Sequence, residues 1–182
     1  MRKIMTCLVA LVATAAANAA PIGFSGPYAP ANWTFTTVNS DGTVNTSGAP
    51  NSISITSGNN SSFSPGQTNY TITIPYNGVV SFDWAFNTVD PPAIFDPFGY
   101  TVNGVYTELT DPFVTAQSGS VSIFLNQGDV FGFRANTADN IFGRSTTVVS
   151  NFDAPVPEPI SLVVFGGLLA AGGLVTRRRM KA

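Results

Sequence analysis

Between Tyr70 and Asn87 the chain alternates with a period of two. Tyr70, Ile72 and Ile74 face one way with Thr71 and Thr73 opposite; after Asn77-Gly78, the series Val80, Phe82, Trp84 and Phe86 alternates with Ser81, Asp83, Ala85 and Asn87. Period two marks a half-buried strand, and Asn-Gly favours the centre of a two-residue hairpin. The pattern therefore predicts a hairpin turning at Asn77-Gly78. Shorter runs of Val, Ile, Thr and Phe predict strands at 33–38, 52–56, 98–102, 105–109, 121–125, 130–135 and 146–152. Asn103-Gly104 and Gln127-Gly128-Asp129 supply turns between consecutive strands. No stretch from 20 to 153 repeats with period 3.6. About nine short strands without helices predict an all-β fold, an antiparallel β-sandwich or jelly roll. Residues 20–30 and the polar stretch 39–51 read as a loosely ordered arm and loop.

The alternation stops at both ends. Arg2 and Lys3 precede an apolar run from Ile4 to Ala17, which closes on Ala17-Asn18-Ala19. A basic start, a short hydrophobic stretch and small residues at Ala17 and Ala19 predict a signal peptide over 1–19, cut after Ala19 and exported through the Sec machinery; a retained N-terminal membrane helix is the alternative. Cys7, the one cysteine, leaves with that segment, so the exported body has no disulfide to stabilise it. At the other end, residues 154–182 hold Pro157, Glu158 and Pro159, an apolar stretch over 160–175, and a basic tail over 177–181. As a helix the stretch spans about 24 Å, slightly short of a hydrocarbon core of about 30 Å. The basic tail places it on the cytoplasmic side of the inner membrane and the body, 20–153, outside.

Proline–Glu–proline, then a glycine-interrupted apolar helix, then Arg177, Arg178 and Arg179, in that order within the last 26 residues, resembles the PEP-CTERM sorting signal. The resemblance implies a substrate of exosortase, a membrane transpeptidase-like protease of Gram-negative bacteria that also make exopolysaccharide. It implies cleavage near Pro157-Glu158-Pro159 and transfer to the cell surface or release outside. A plain membrane anchor is the simpler alternative. The segments Val80-Ser81-Phe82-Asp83-Trp84, Asp96-Pro97-Phe98-Gly99-Tyr100, Gly128 to Phe133 and Ser150-Asn151-Phe152 also resemble a β-sandwich module of bacterial secreted and cell-surface proteins. That likeness implies a fold and no ligand.

Charge and composition narrow the chemistry. The body carries nine acids against two bases, Arg134 and Arg144, a formal charge of −7, and the chain has no His. A lysine-free acidic body does not seek phosphate backbones, so no nucleic-acid partner is expected. Without His or Cys there is no imidazole-based triad, thiol nucleophile or Cys/His zinc site. No enzyme activity is expected; Asp83 is the one carboxylate to consider for a weak third reading as a glycoside or ester hydrolase. Acids gather around Asp90-Pro91-Pro92, Asp96-Pro97 and Asp111-Pro112. Asp83, Asn87, Asp90, Asp96 and Asp111 are therefore candidate calcium ligands, since calcium takes oxygen donors from loops. Trp84 and Phe82 alternate as core residues do. Tyr76 by the predicted hairpin turn, with Phe95, Phe98 and Tyr100 by the Pro-rich loop, are candidates for an exposed ligand edge. The reading that results is a structural or adhesive surface protein of exopolysaccharide, biofilm or floc, with a calcium-assisted glycan-binding module as the alternative.

Overall fold

The computed structural model describes residues 21–156. The leader with Ala17 and Ala19, and the C-terminal segment with Pro157, Glu158, Pro159, the 160–175 stretch, Arg177, Arg178 and Arg179, lie outside the described residues.

Ten strands form two five-stranded sheets, antiparallel throughout, laid face to face as a sandwich. The first sheet has the order β1 (Thr34–Val38), β4 (Gly66–Thr73), β9 (Val130–Thr137), β6 (Phe98–Val102), β7 (Val105–Glu108). The second has the order β2 (Val44–Asn45), β3 (Ser52–Thr56), β10 (Ser145–Asp153), β5 (Gly78–Thr88), β8 (Ala116–Leu125). Nine of these strands overlap the nine expected from the alternation. The two-residue β2 was not expected, because Val44-Asn45 is too short to show a period. Strand β8 begins at Ala116, five residues before its first β-branched residue, Val121; small residues there carry no strand signal of their own.

The Asn77-Gly78 hairpin does not form. Strand β4 pairs with β1 and β9, whereas β5 pairs with β8 and β10, so residues 74–77 carry the chain from one sheet to the other. Pro75 has no N–H to extend a ladder. The crossing is held instead by its neighbour: the Ile74 amide donates to Asp129 O and the Gly128 amide to Ile74 O. The Gln127-Gly128-Asp129 turn is likewise a crossing, from β8 to β9. Tyr70, Ile72, Val80 and Phe82 do all point inward, but from opposite walls. Asn103-Gly104 does make a true hairpin between β6 and β7, with φ of 51° and 83°, the positive values such turns need.

The core is aromatic. Trp33 stacks between Tyr70 and Phe133, and Phe82, Phe131 and Phe152 pack edge-on around them. The expected loose arm at 20–30 is instead part of this core where it is described. Phe24 is 2% exposed and stacks on Phe152; Tyr28 is wholly buried and donates through its hydroxyl to Pro155 O at 2.8 Å. The physical reason is its apolar content: two large rings interrupted by prolines and glycines wrap the open end of the sandwich rather than stay in water. Gly23, at φ +62°, passes so near Pro50 O that a Cβ would lie 2.3 Å from it, which only glycine permits. The stretch 39–51 is also fixed, through β2 and through Arg144, which donates to Asp41 O and Oδ2.

The pairing directions give the sandwich two distinct poles. Loops 39–43, 57–65, 89–97, 109–115 and 138–144 meet at one, the loop pole. The arm 21–33, the crossings 74–77 and 126–129, the 103–104 turn and residues 154–156 meet at the other.

Candidate functional site

The loop pole holds the longest irregular segments and the least covered apolar side chains. Among the described residues the three most exposed large apolar groups are Phe142, Phe113 and Phe63, at 80%, 78% and 75%. Each sits on a different loop, and Val89, Ile94 and Val114 are exposed beside them. Phe63 and Phe142 have φ of 53° and 67°, a left-handed backbone that costs a bulky residue energy and persists where surrounding structure enforces it. That structure is visible. Asn140 is wholly buried and donates from Nδ2 to Asn39 O at 2.8 Å and Ser64 O at 2.7 Å. The Ser61 amide donates to Asn140 O at 2.8 Å, which ties the Phe63 loop to the Phe142 loop. Beside these tips a cleft of about 370 Å³ runs between Val38, Pro65, Ile94, Pro97 and Ala138.

Beneath the tips, between the sheets, lies a polar layer. Ser57, Asp96, Asn140, Ser145 and Thr147 are wholly buried, Thr137 is 2% exposed and Asp90 5%. Strand β10 begins here: the Ser145 amide donates to Ser57 Oγ at 2.8 Å, and the Ser57 amide to Ser145 O at 3.1 Å. Asp96 is drawn in because its neighbours extend the edge of β9, the Ala138 amide donating to Phe95 O and the Asn136 amide to Pro97 O. Its carboxylate faces the hydroxyls of Ser57 and Thr137. Burial pushes Asp96 up to about 6; the two hydroxyls oppose that, and the negative charges of Asp90 and Asp139 add to it. Asp90 is raised too, by burial and then by Asp139.

The calcium candidates divide. The structure brings Asp90 and Asp96 together in this layer. Asp83 lies five residues before Thr88 on β5, roughly 16 Å away at a strand's rise. It accepts from Asn151 Nδ2 at 2.7 Å and Ser120 Oγ at 2.5 Å, and these two bonds hold it below the usual carboxylate range. Asn87 faces outward, its strand neighbour Thr88 inward. Asp111 is exposed and caps its own turn, accepting from the Phe113 amide at 2.9 Å. Five ligands from this set therefore do not converge. Among the described residues, no three His, Cys, Asp or Glu side chains gather closely enough to hold a metal ion. Ser57, Thr137 and Asp139 were not foreseen as neighbours of Asp96, since they come from loop 57–65, the end of β9 and loop 138–144, which only the strand pairing brings together.

The aromatic candidates are placed differently from expectation. Phe98 has no exposed surface and packs against Trp84, and Tyr100, two residues on, turns the same way onto Phe82 and Phe131. The alternation of β6 sends both inward, so neither forms an exposed edge. Tyr76 is half-buried at the opposite pole, in the 74–77 crossing. Phe82 and Trp84 are core residues as expected. The exposed rings of Phe63, Phe113 and Phe142 left no sequence signal, because a lone Phe in a polar loop has no period to read.

No helix among the described residues is long and apolar enough to cross a membrane. The chain matches no family model and no curated protein. Among solved structures, it is similar over 63% of its length to 97% of a family 35 carbohydrate-binding module from Clostridium thermocellum, at 14% identity and a TM-score of 0.32.

Proposed function

We propose that this protein is an exported, exosortase-sorted surface module with a structural or adhesive role in an exopolysaccharide matrix. The observation that carries the reading is polar. The described chain runs out of β10 toward residues 157–182 at one pole, while the three most exposed phenylalanines stand at the other. A body held by its C-terminal segment thus presents those rings away from the attachment point. Flat apolar rings in a water-exposed loop suit the C–H faces of sugars, and the acidic body disfavours phosphate polymers. The sorting segment supports the same destination through its resemblance to the PEP-CTERM signal.

One experiment tests both halves in the native producer. The full chain and a Phe63→Ser/Phe113→Ser/Phe142→Ser variant are recovered with and without exosortase. Their C-termini are read by mass spectrometry and their retention on isolated exopolysaccharide is measured. The reading expects an exosortase-dependent C-terminus near Glu158, and retention weakened roughly tenfold or more in the variant, as for loss of central binding residues. An intact Arg177–Ala182 tail in both strains would remove the sorting half. Undiminished retention of a correctly sorted variant would remove the adhesive half.

A further inference from the structure

Beyond that reading, and independent of it, the four edges of the sandwich are unequal. Strand β2 has two residues, β7 has four and ends in Glu108, and β1 has five. Short or charged edges give another chain little to pair with. Strand β8 is different. It runs ten residues, Ala116–Leu125, with neither charge nor proline, and its register with β5 is unbroken from Asn87↔Ala116 to Gly78↔Leu125.

The direction of its free groups follows from one bond. The Thr88 amide donates to Thr115 O at 2.9 Å, one step before that register begins. Antiparallel residues exchange hydrogen bonds at every second position, so 117, 119, 121, 123 and 125 turn to β5. Ala116, Ser118, Ser120, Ser122 and Phe124 turn their N–H and C=O groups away from it. Among the described residues, no backbone hydrogen bond outside the ladder reaches 116–124. The side chains show the same open flank. Val121 and Ile123 pack against the core yet stay half-buried, and Phe124 is 64% exposed beside Val79 at 54%.

This free edge complements itself. Laid antiparallel on a second copy about Ser120, it sets Ser120 against Ser120, Ser118 against Ser122 and Ala116 against Phe124. The outward amides and carbonyls then fall opposite each other, and a large ring meets a small methyl. On the inner side Gly119 falls beside Val121. Charge does not oppose the fit, although the body is acidic. The one acid on either strand is Asp83, which lies across the ladder from Ser120. Two copies of Asp83 would stand three strand spacings apart, roughly 14 Å, beyond a screening length of about 8 Å.

We propose that β8 is a dimerisation edge, joining two copies of this chain through an antiparallel β8–β8 ladder centred on Ser120. Two five-stranded sheets thereby become one of ten strands. Each chain has one such edge, so the pairing is two-fold and closes at the dimer. Because the paired strands run in opposite directions, the two loop poles lie at opposite ends, and one particle carries phenylalanine tips at both.

The test follows the full chain, recovered from its producer in mild detergent, by sedimentation equilibrium and circular dichroism. The parent should sediment as a dimer at tens of micromolar. Ser120→Pro removes an N–H that β5 does not use, which an edge strand tolerates. It should weaken the dimer about tenfold or more by taking both central hydrogen bonds. Ser118→Lys/Ser122→Lys sets like charges opposite each other at two pairs and should weaken it similarly, as should Ser118→Glu/Ser122→Glu. Mixed, these two double variants should pair with each other. A monomeric parent at that concentration overturns the proposal. An undiminished dimer of folded Ser120→Pro overturns it as well. Even if Ser120→Pro fails to fold, two folded double variants that stay apart when mixed overturn the antiparallel register.

Discussion

Trp33 lies between two rings, 4.9 Å from Tyr70 and 5.5 Å from Phe133, nearly parallel to both, and its indole N–H donates to Tyr28 O at 3.0 Å. Removing it leaves a cavity lined by aromatic faces and an unmet carbonyl. Trp33→Ala should therefore lower unfolding free energy by ~3–5 kcal/mol, and Phe142→Ala by no more than ~0.5 kcal/mol. Urea unfolding followed through Trp84 emission separates the two; equal losses would place Trp33 outside the core. At this scale the sequence was partly readable. Phe82 and Trp84 stand in a long unbroken alternation, and that alternation decides their side. Asp96 could not be read. An Asp-Pro pair is ordinary turn chemistry, and nothing local to it shows that the turn will be pinned along the edge of β9 and folded inward.

The elements differ in how firmly they are held. Strands β9 and β10 are each flanked on both sides, by β4 and β6 and by β3 and β5, whereas β1, β7, β2 and β8 each pair along one edge only. Every residue of β1 is exposed. Amide exchange should therefore be fastest in β1, β2 and β7 and slowest in β9 and β10, because opening a central strand breaks two ladders. Hydrogen–deuterium exchange read by mass spectrometry gives the order directly, and early exchange of β10 would contradict the topology. Strand positions were legible because inward and outward residues alternate. The partner of each strand was not. A sandwich has two inner walls, and the pattern of β4 and β5 is the same whether Asn77-Gly78 reverses within one sheet or crosses to the other. Only Pro75 hinted at the crossing.

At the scale of the whole molecule the two poles are unlike. One gathers loops with exposed phenylalanines above a buried layer of oxygens. The other is closed by the aromatic arm, where the Gly23 amide donates to Phe152 O and the Ile22 amide to Asp153 Oδ1. The poles were out of reach of sequence reasoning, since they depend on where ten strands start and stop relative to each other. Strand β10, which leads to the C-terminal segment, runs from pole to pole through the middle of its sheet. A pull between the loop tips and residue 156 acts along that strand's own axis. Its ladders to β3 and β5 are then loaded in shear, all at once rather than one bond after another. Force spectroscopy should find a higher rupture force in this direction than across the β1 edge, and equal forces would count against it. A sandwich built this way is stiffest along the line that joins its loop tips to the exit of its last strand.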